Sequence, residues 1–147
     1  MKDNSERTTI NVLLVKAGEC AKMVEMEDSL EAMQKMVGGM IEEYMPFEDD
    51  VALICNDEGK MRRMPLNRAI YGEDGKIMDI IAGDFFICYA PIESEKFLSL
   101  PPELAEKYKE KFYWPEQVFM KNGEGLVAHK YNPDYRKQEV RSILGDR

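Results

Sequence analysis

Apolar residues recur along this chain in short runs bounded by charged or turn-forming residues, a spacing that suits strands better than long helices. Ile10-Asn11-Val12-Leu13-Leu14-Val15 is apolar enough to run through the middle of a sheet. Ala17-Gly18-Glu19 supplies turn chemistry, and Lys22-Met23-Val24-Glu25-Met26-Glu27 continues as a second, more polar strand. The period then changes. Leu30, Met33, Met36 and Val37 repeat at helical spacing, with Glu31, Gln34 and Lys35 on the opposite face. Asp28 followed by Glu31 has the chemistry of a capping box at the start of that helix, and Gly38 suits the left-handed residue that closes it.

Beyond the paired glycines, Met40 to Met45 reads as a strand stopped by Pro46, and Val51 to Asn56 as a more buried one. Asp57-Glu58-Gly59-Lys60 predicts a hairpin turn with Gly59 at positive φ. Tyr71 to Gly75 is a loop, and Ile77 to Ala82 and Asp84 to Ala90 are two more strands broken at Gly83. The order strand, strand, helix, strand, strand predicts the α+β class: a mixed or antiparallel sheet of β-grasp-like order with one helix packed on it. After position 90, Pro101-Pro102 can open a helix whose Glu103 and Glu106 suit its positive start and whose Lys107, Lys109 and Lys111 suit its negative end. Its apolar face, Leu104, Ala105, Tyr108 and Phe112, should dock on the preceding part. Trp114-Pro115 stops it. Asn122-Gly123 between Val118–Lys121 and Leu126–Lys130 is a hairpin signal, and Asn132-Pro133 opens a short final helix through Leu144, with Arg136, Lys137 and Arg141 on its polar side. No linker rich in glycine or serine intervenes. The expectation is one domain over 1–147, with an acidic α+β body at 10–90 and an appended helix, hairpin and tail at 91–147.

Charge adds an asymmetry that the pattern does not contain. Up to position 90 there are 18 acidic and 10 basic residues, and beyond it 10 of each, so the whole net charge of -8 belongs to the first part. Such a surface repels nucleic-acid phosphates, whose binding depends on Lys and Arg displacing counter-ions. It keeps the protein soluble, or it offers a surface to a basic protein partner. Cys20, Cys55 and Cys88 are odd in number, lack a CxxC pair and in two cases sit in apolar runs, as buried free thiols of a reducing compartment do. The polar start, Met1 to Thr9, has no apolar signal core, and no apolar run approaches a membrane span. The expected location is the cytoplasm, with no membrane partner.

Several segments in register carry a resemblance. Leu30-Glu31-Ala32-Met33-Gln34, Val37-Gly38-Gly39-Met40-Ile41-Glu42, Asp50-Val51 through Lys60, Pro65-Leu66-Asn67-Arg68-Ala69 and Asp79 through Ile87 together resemble a domain-of-unknown-function family found in phages and in mobile elements of Gram-positive bacteria. The resemblance covers roughly residues 10 to 90. It implies a small cytoplasmic accessory protein of a mobile element and brings no activity or catalytic residues with it. The family's Asn-Arg pair falls on Asn67 and Arg68, which makes these two the first candidates for a ligand-facing surface.

Catalytic constellations are sparse. His129 is the one histidine and sits in a hairpin strand, and Walker, Gly-x-Gly-x-x-Gly and nucleophile-elbow patterns are missing. No cofactor or metal is expected; Glu48-Asp49-Asp50 reads as a solvated turn before a divalent-ion site. Arg62, Arg63 and Arg68 could hold an anion or pair with neighbouring acids. Two readings result. In the first, the protein is a non-enzymatic binding factor whose acids Glu42, Glu43, Glu48, Asp49 and Asp50 engage a basic host protein, such as a nucleic-acid-handling defence factor. In the alternative, the protein is a small-molecule enzyme or binder in which Asn56, Asn67 and Arg68 surround an anionic ligand. Homo-oligomerisation is compatible with either.

Overall fold

The computed structural model describes residues 8–134. Strands β1 (Thr9–Val15), β2 (Lys22–Glu27), β3 (Ile41–Tyr44), β4 (Val51–Asn56) and β7 (Phe85–Tyr89) form an antiparallel sheet in the order β2-β1-β7-β4-β3. Every residue of β4 is buried, because the strand lies inside the sheet and both sheet faces are covered. Alternation along the strands divides the core in two. Leu13, Val15, Leu53, Phe85 and Ile87 point to one face, and Val12, Ala52, Ile54, Phe86 and Cys88 to the other. The second face receives helix α1 (Leu30–Val37) through Met33 and Val37. The first receives helix α2 (Pro102–Phe112) through Tyr108 and Phe112, and a hairpin of β5 (Leu66–Tyr71) and β6 (Ile77–Ala82) through Ile70 and Ile81. A second hairpin, β8 (Glu116–Lys121) with β9 (Gly125–Lys130), follows α2.

The α+β class, the helix on the sheet, the docked second helix and the terminal hairpin are therefore as the sequence predicts. Three local readings change. Helix α1 is capped by Ser29, whose hydroxyl accepts from the Ala32 N–H at 3.1 Å. Asp28 does not cap it: the chain enters the helix one residue later, and the Asp28 carboxylate accepts instead from the Thr8 hydroxyl at 3.4 Å. Leu30, in the first turn, stays 57% exposed while Met33 and Val37 are buried. Gly38 does close the helix, at φ 81°.

The second change is at residues 57–60, which do not make a hairpin. Both edges of β4 are already occupied by β3 and β7, so the chain must leave the sheet before it can pair again. Gly59 is required for a different reason than positive φ: a Cβ there would lie 2.6 Å from the Ala82 carbonyl oxygen. The left-handed residue of the turn is Arg63, at φ 56°. Third, residues 66–71, for which the hydrophobic pattern predicts no element, form strand β5. Asn67 and Arg68 interrupt the apolar pattern there, yet both are wholly buried. The predicted final helix, with Arg136, Lys137 and Arg141, lies outside the described residues, as does most of the polar start. Among the described residues no helix is long and apolar enough to cross a membrane.

Candidate functional site

Arg68 lies at the junction of five segments. Its Nε donates to the Phe112 carbonyl at 3.1 Å, Nη2 to the Glu19 carbonyl at 2.6 Å and Nη1 to Asn67 Oδ1 at 2.8 Å. Asn67 Nδ2 in turn donates to the Val15 and Gly83 carbonyls, both at 2.9 Å. Glu116, also buried, accepts from the Ala69 N–H at 2.9 Å. Burial raises the proton affinity of Glu116 against the opposing pull of the Ala69 N–H and Arg68, and burial lowers that of Arg68 against the pull of Glu116. These are interior polar groups satisfied by the protein itself. Asn67 and Arg68 therefore do not face a ligand, which corrects the reading of the Asn-Arg pair.

Asn56 is also buried and satisfied within the protein, but unlike Asn67 and Arg68 it lines a pocket beneath β3. Its Nδ2 donates to the Val37 carbonyl at 3.2 Å and its Oδ1 accepts from the Glu58 N–H at 2.7 Å, which pins the end of α1 to the turn after β4. The three expected arginines do not assemble either. Arg62 is exposed and pairs with Glu58 at 3.3 Å, while Arg68 points inward. His129 is exposed on β9 with its ring edge-on to Phe119, centroids 5.0 Å apart.

The five acids are divided by the fold. Asp49 accepts from Lys107 Nζ at 2.6 Å and from the Tyr108 hydroxyl at 2.8 Å, and the Lys107 hydrogen bond, followed by that of Tyr108, holds its carboxyl below the usual carboxylate range. It ties the loop before β4 to α2. Glu42 is paired with Cys55 and shares the face of Tyr44, whereas Glu43 is paired with Ile54 and shares the face covered by α1. Both are exposed, as are Glu48 and Asp50 in the loop before β4.

Beneath β3, on the Glu42 side, β3, β4, the 57–61 turn and β6 enclose a pocket of about 130 Å³. Its polar lining includes Glu42, Tyr44, Cys55, Asp57, Lys60 and Asp79. Lys60 is bound to Asp79 at 2.5 Å. Among the described residues Glu42 and Asp57 have no ion-pair partner, so the rim keeps negative charge. The floor is not nucleophilic. Burial first, then Glu42, Asp79 and Asp57, push the Cys55 thiol up to about 11, and burial followed by Asp79 raises Tyr44. Both stay protonated at neutral pH, and the negative rim suits a cationic group. No three His, Cys, Asp or Glu side chains among the described residues are grouped to hold a metal ion. Sequence reasoning singles out Glu42 and Asn56, both of which line the pocket, but misses Tyr44, Asp57 and Asp79. The relation of Glu42 to Tyr44 is legible as strand alternation, while Asp79 reaches the pocket only through the crossing of the β5–β6 hairpin.

No curated protein and no solved structure matches the chain. A family profile does match, over residues 10–113, extending past the stretch of the sequence resemblance to take in α2. The chain therefore belongs to DUF3846, a family described as a domain of unknown function.

Proposed function

We propose that this protein is a non-enzymatic, protein-binding accessory factor of a phage or mobile element, which works in the host cytoplasm by engaging a basic surface on a host nucleic-acid-handling defence protein. The observation that carries the reading is the uncompensated charge at one place: Glu42 and Asp57 rim a pocket under an exposed edge strand, with Glu43 on the other side of the same strand. The contact surface is thus narrower than the five acids taken together, since Asp49 is engaged with α2. A surface of that sign competes with phosphates for the Lys and Arg residues of a nucleic-acid-handling protein, and steers association electrostatically. The free, buried thiols of Cys55 and Cys88 suit a reducing compartment.

The test compares immobilised wild type with a Glu42→Gln/Glu43→Gln/Asp57→Asn variant in capture from host lysate. The captured protein is identified by mass spectrometry and its purified form titrated at several salt concentrations. The expected result is one basic protein lost from the variant, with affinity falling steeply between about 50 and 300 mM salt as screening grows. Capture that survives neutralisation, or affinity indifferent to salt, overturns the proposal.

A further inference from the structure

The main-chain geometry of β3 carries the proposed function one step further. Among the described residues the strand pairs with β4 alone, and they leave its other edge open. The Asp57 N–H donates to the Met40 carbonyl at 2.9 Å, and the register continues as Ile41 opposite Asn56 and Glu42 opposite Cys55. In an antiparallel pair the hydrogen-bonded positions alternate. Glu42 and Tyr44 therefore turn their backbone groups toward β4, while Ile41 and Glu43 turn theirs toward the open edge. An exposed edge of this kind is a template for another strand unless something guards it. Here the guard is two consecutive carboxylates, Glu42 on the pocket face and Glu43 on the α1 face.

That arrangement selects its occupant by charge. A second copy of this chain added through β3 would bring the same pair of glutamates against themselves, and like charges opposite each other destabilise a sheet. An apolar strand would desolvate both carboxylates without compensation. We infer that β3 accepts, as a sixth strand, an extended segment of the partner carrying two consecutive basic residues flanked by apolar ones. Side chains alternate, so one cation lies beside Glu42 above the pocket, within reach of Asp57 and the Tyr44 ring, and the next meets Glu43 on the other face. The apolar neighbours face Ile41 and Tyr44. This rests on the proposed acidic contact surface and adds the mode of binding: main-chain hydrogen bonds give affinity and the alternate side chains give specificity.

The experiment titrates the full-length, ¹⁵N-labelled protein with a capped octapeptide centred on Val-Lys-Arg-Val. Parallel titrations use the same peptide N-methylated at the residues that would bond Ile41 and Glu43, and a Val-Glu-Asp-Val control. Expected are protection of the Ile41 and Glu43 amides from hydrogen exchange, a loss of affinity of about ten-fold or more on N-methylation, and no binding of the acidic control. A Glu42→Lys/Glu43→Lys protein, altered only at exposed positions, should lose the basic peptide and gain the acidic one. Binding without amide protection, or binding indifferent to N-methylation, overturns strand addition while leaving the acidic contact surface intact. A basic peptide that fails to bind, with the captured partner still lost from the neutralised variant, likewise overturns strand addition alone. Failure of both the peptide and the neutralisation test removes the acidic contact surface as well.

Discussion

Asn67 and Arg68 are the residues whose appearance in sequence misleads most. A polar pair between an exposed Leu66 and an apolar Ala69-Ile70 reads as a surface feature, because the acceptors that satisfy it come from Val15, Glu19, Gly83 and Phe112, and nothing local announces them. Their role is to tie the ends of β1, β5 and α2 together in a place where each chain end leaves a carbonyl needing a donor. Arg68→Met keeps much of the volume and removes the guanidinium donors, stranding the Phe112 and Glu19 carbonyls and leaving Glu116 without its neighbouring cation. Urea denaturation should show a loss of about 3–5 kcal/mol, the usual result when one partner of a buried polar cluster is removed. Arg68→Lys should recover only part of it, as a single ammonium cannot span acceptors on three segments. A change under about 1 kcal/mol would mean that the cluster is not a structural tie. Glu116 belongs to the same cluster and is invisible in sequence for the same reason: an acid at the start of a hairpin strand is ordinarily solvated.

At the scale of elements, periodicity gives β2 and β4 their observed bounds, and the two helices fall close to their expected starts because capping and turn residues mark them. What it does not give is pairing. The hairpin expected at residues 57–60 requires a free edge on β4, and only the long-range pairing with β7 shows that none exists. The loop before β4 reads in sequence as a solvated acidic step, yet it clamps α2. Asp49 bonds Lys107 and Tyr108, and the Phe47 ring packs at 5.1 Å from Tyr108 and 6.0 Å from Phe112. The pH dependence follows in sign. Asp49 has a lower pKa folded than unfolded, so its contribution is fully present above the ordinary carboxylate value near 3.9 and is lost as the pH falls through the depressed folded value. Thermal midpoints recorded from about pH 7 to about pH 2 should fall more steeply for wild type than for Asp49→Asn, with the variant less stable at neutral pH and the two curves converging in acid. Parallel curves would show that the contact does not hold the helix.

The whole molecule raises the question of where the cooperative unit stops. Charge and composition change near position 90, and on that ground the last third reads as an appendage. Packing places the division elsewhere. Tyr108 and Phe112 are buried in the same cluster as Leu13, Leu53, Phe85 and Ile87, and Phe85 meets Phe112 edge-on at 5.7 Å. The family match ends at residue 113, one position past α2, so the shared unit closes this face of the sheet with its own helix. A chain truncated after Ala90 would leave that face open and Arg68 without the Phe112 carbonyl. It should melt without a cooperative transition and bind a hydrophobic dye such as ANS, as chains that retain strands but lose core packing do. A chain truncated after Tyr113 keeps α2 and loses Glu116 with the hairpin. The Ala69 N–H and Arg68 would then turn to water for partners, which a newly opened surface can supply. It should fold cooperatively, with coincident far-UV and near-UV transitions at a lower midpoint than the full chain. Cooperative melting of the shorter chain would restore the boundary near 90, and a non-cooperative longer chain would make the β8–β9 hairpin part of the core, since the two truncations differ by residues 91–113, the segment that carries α2.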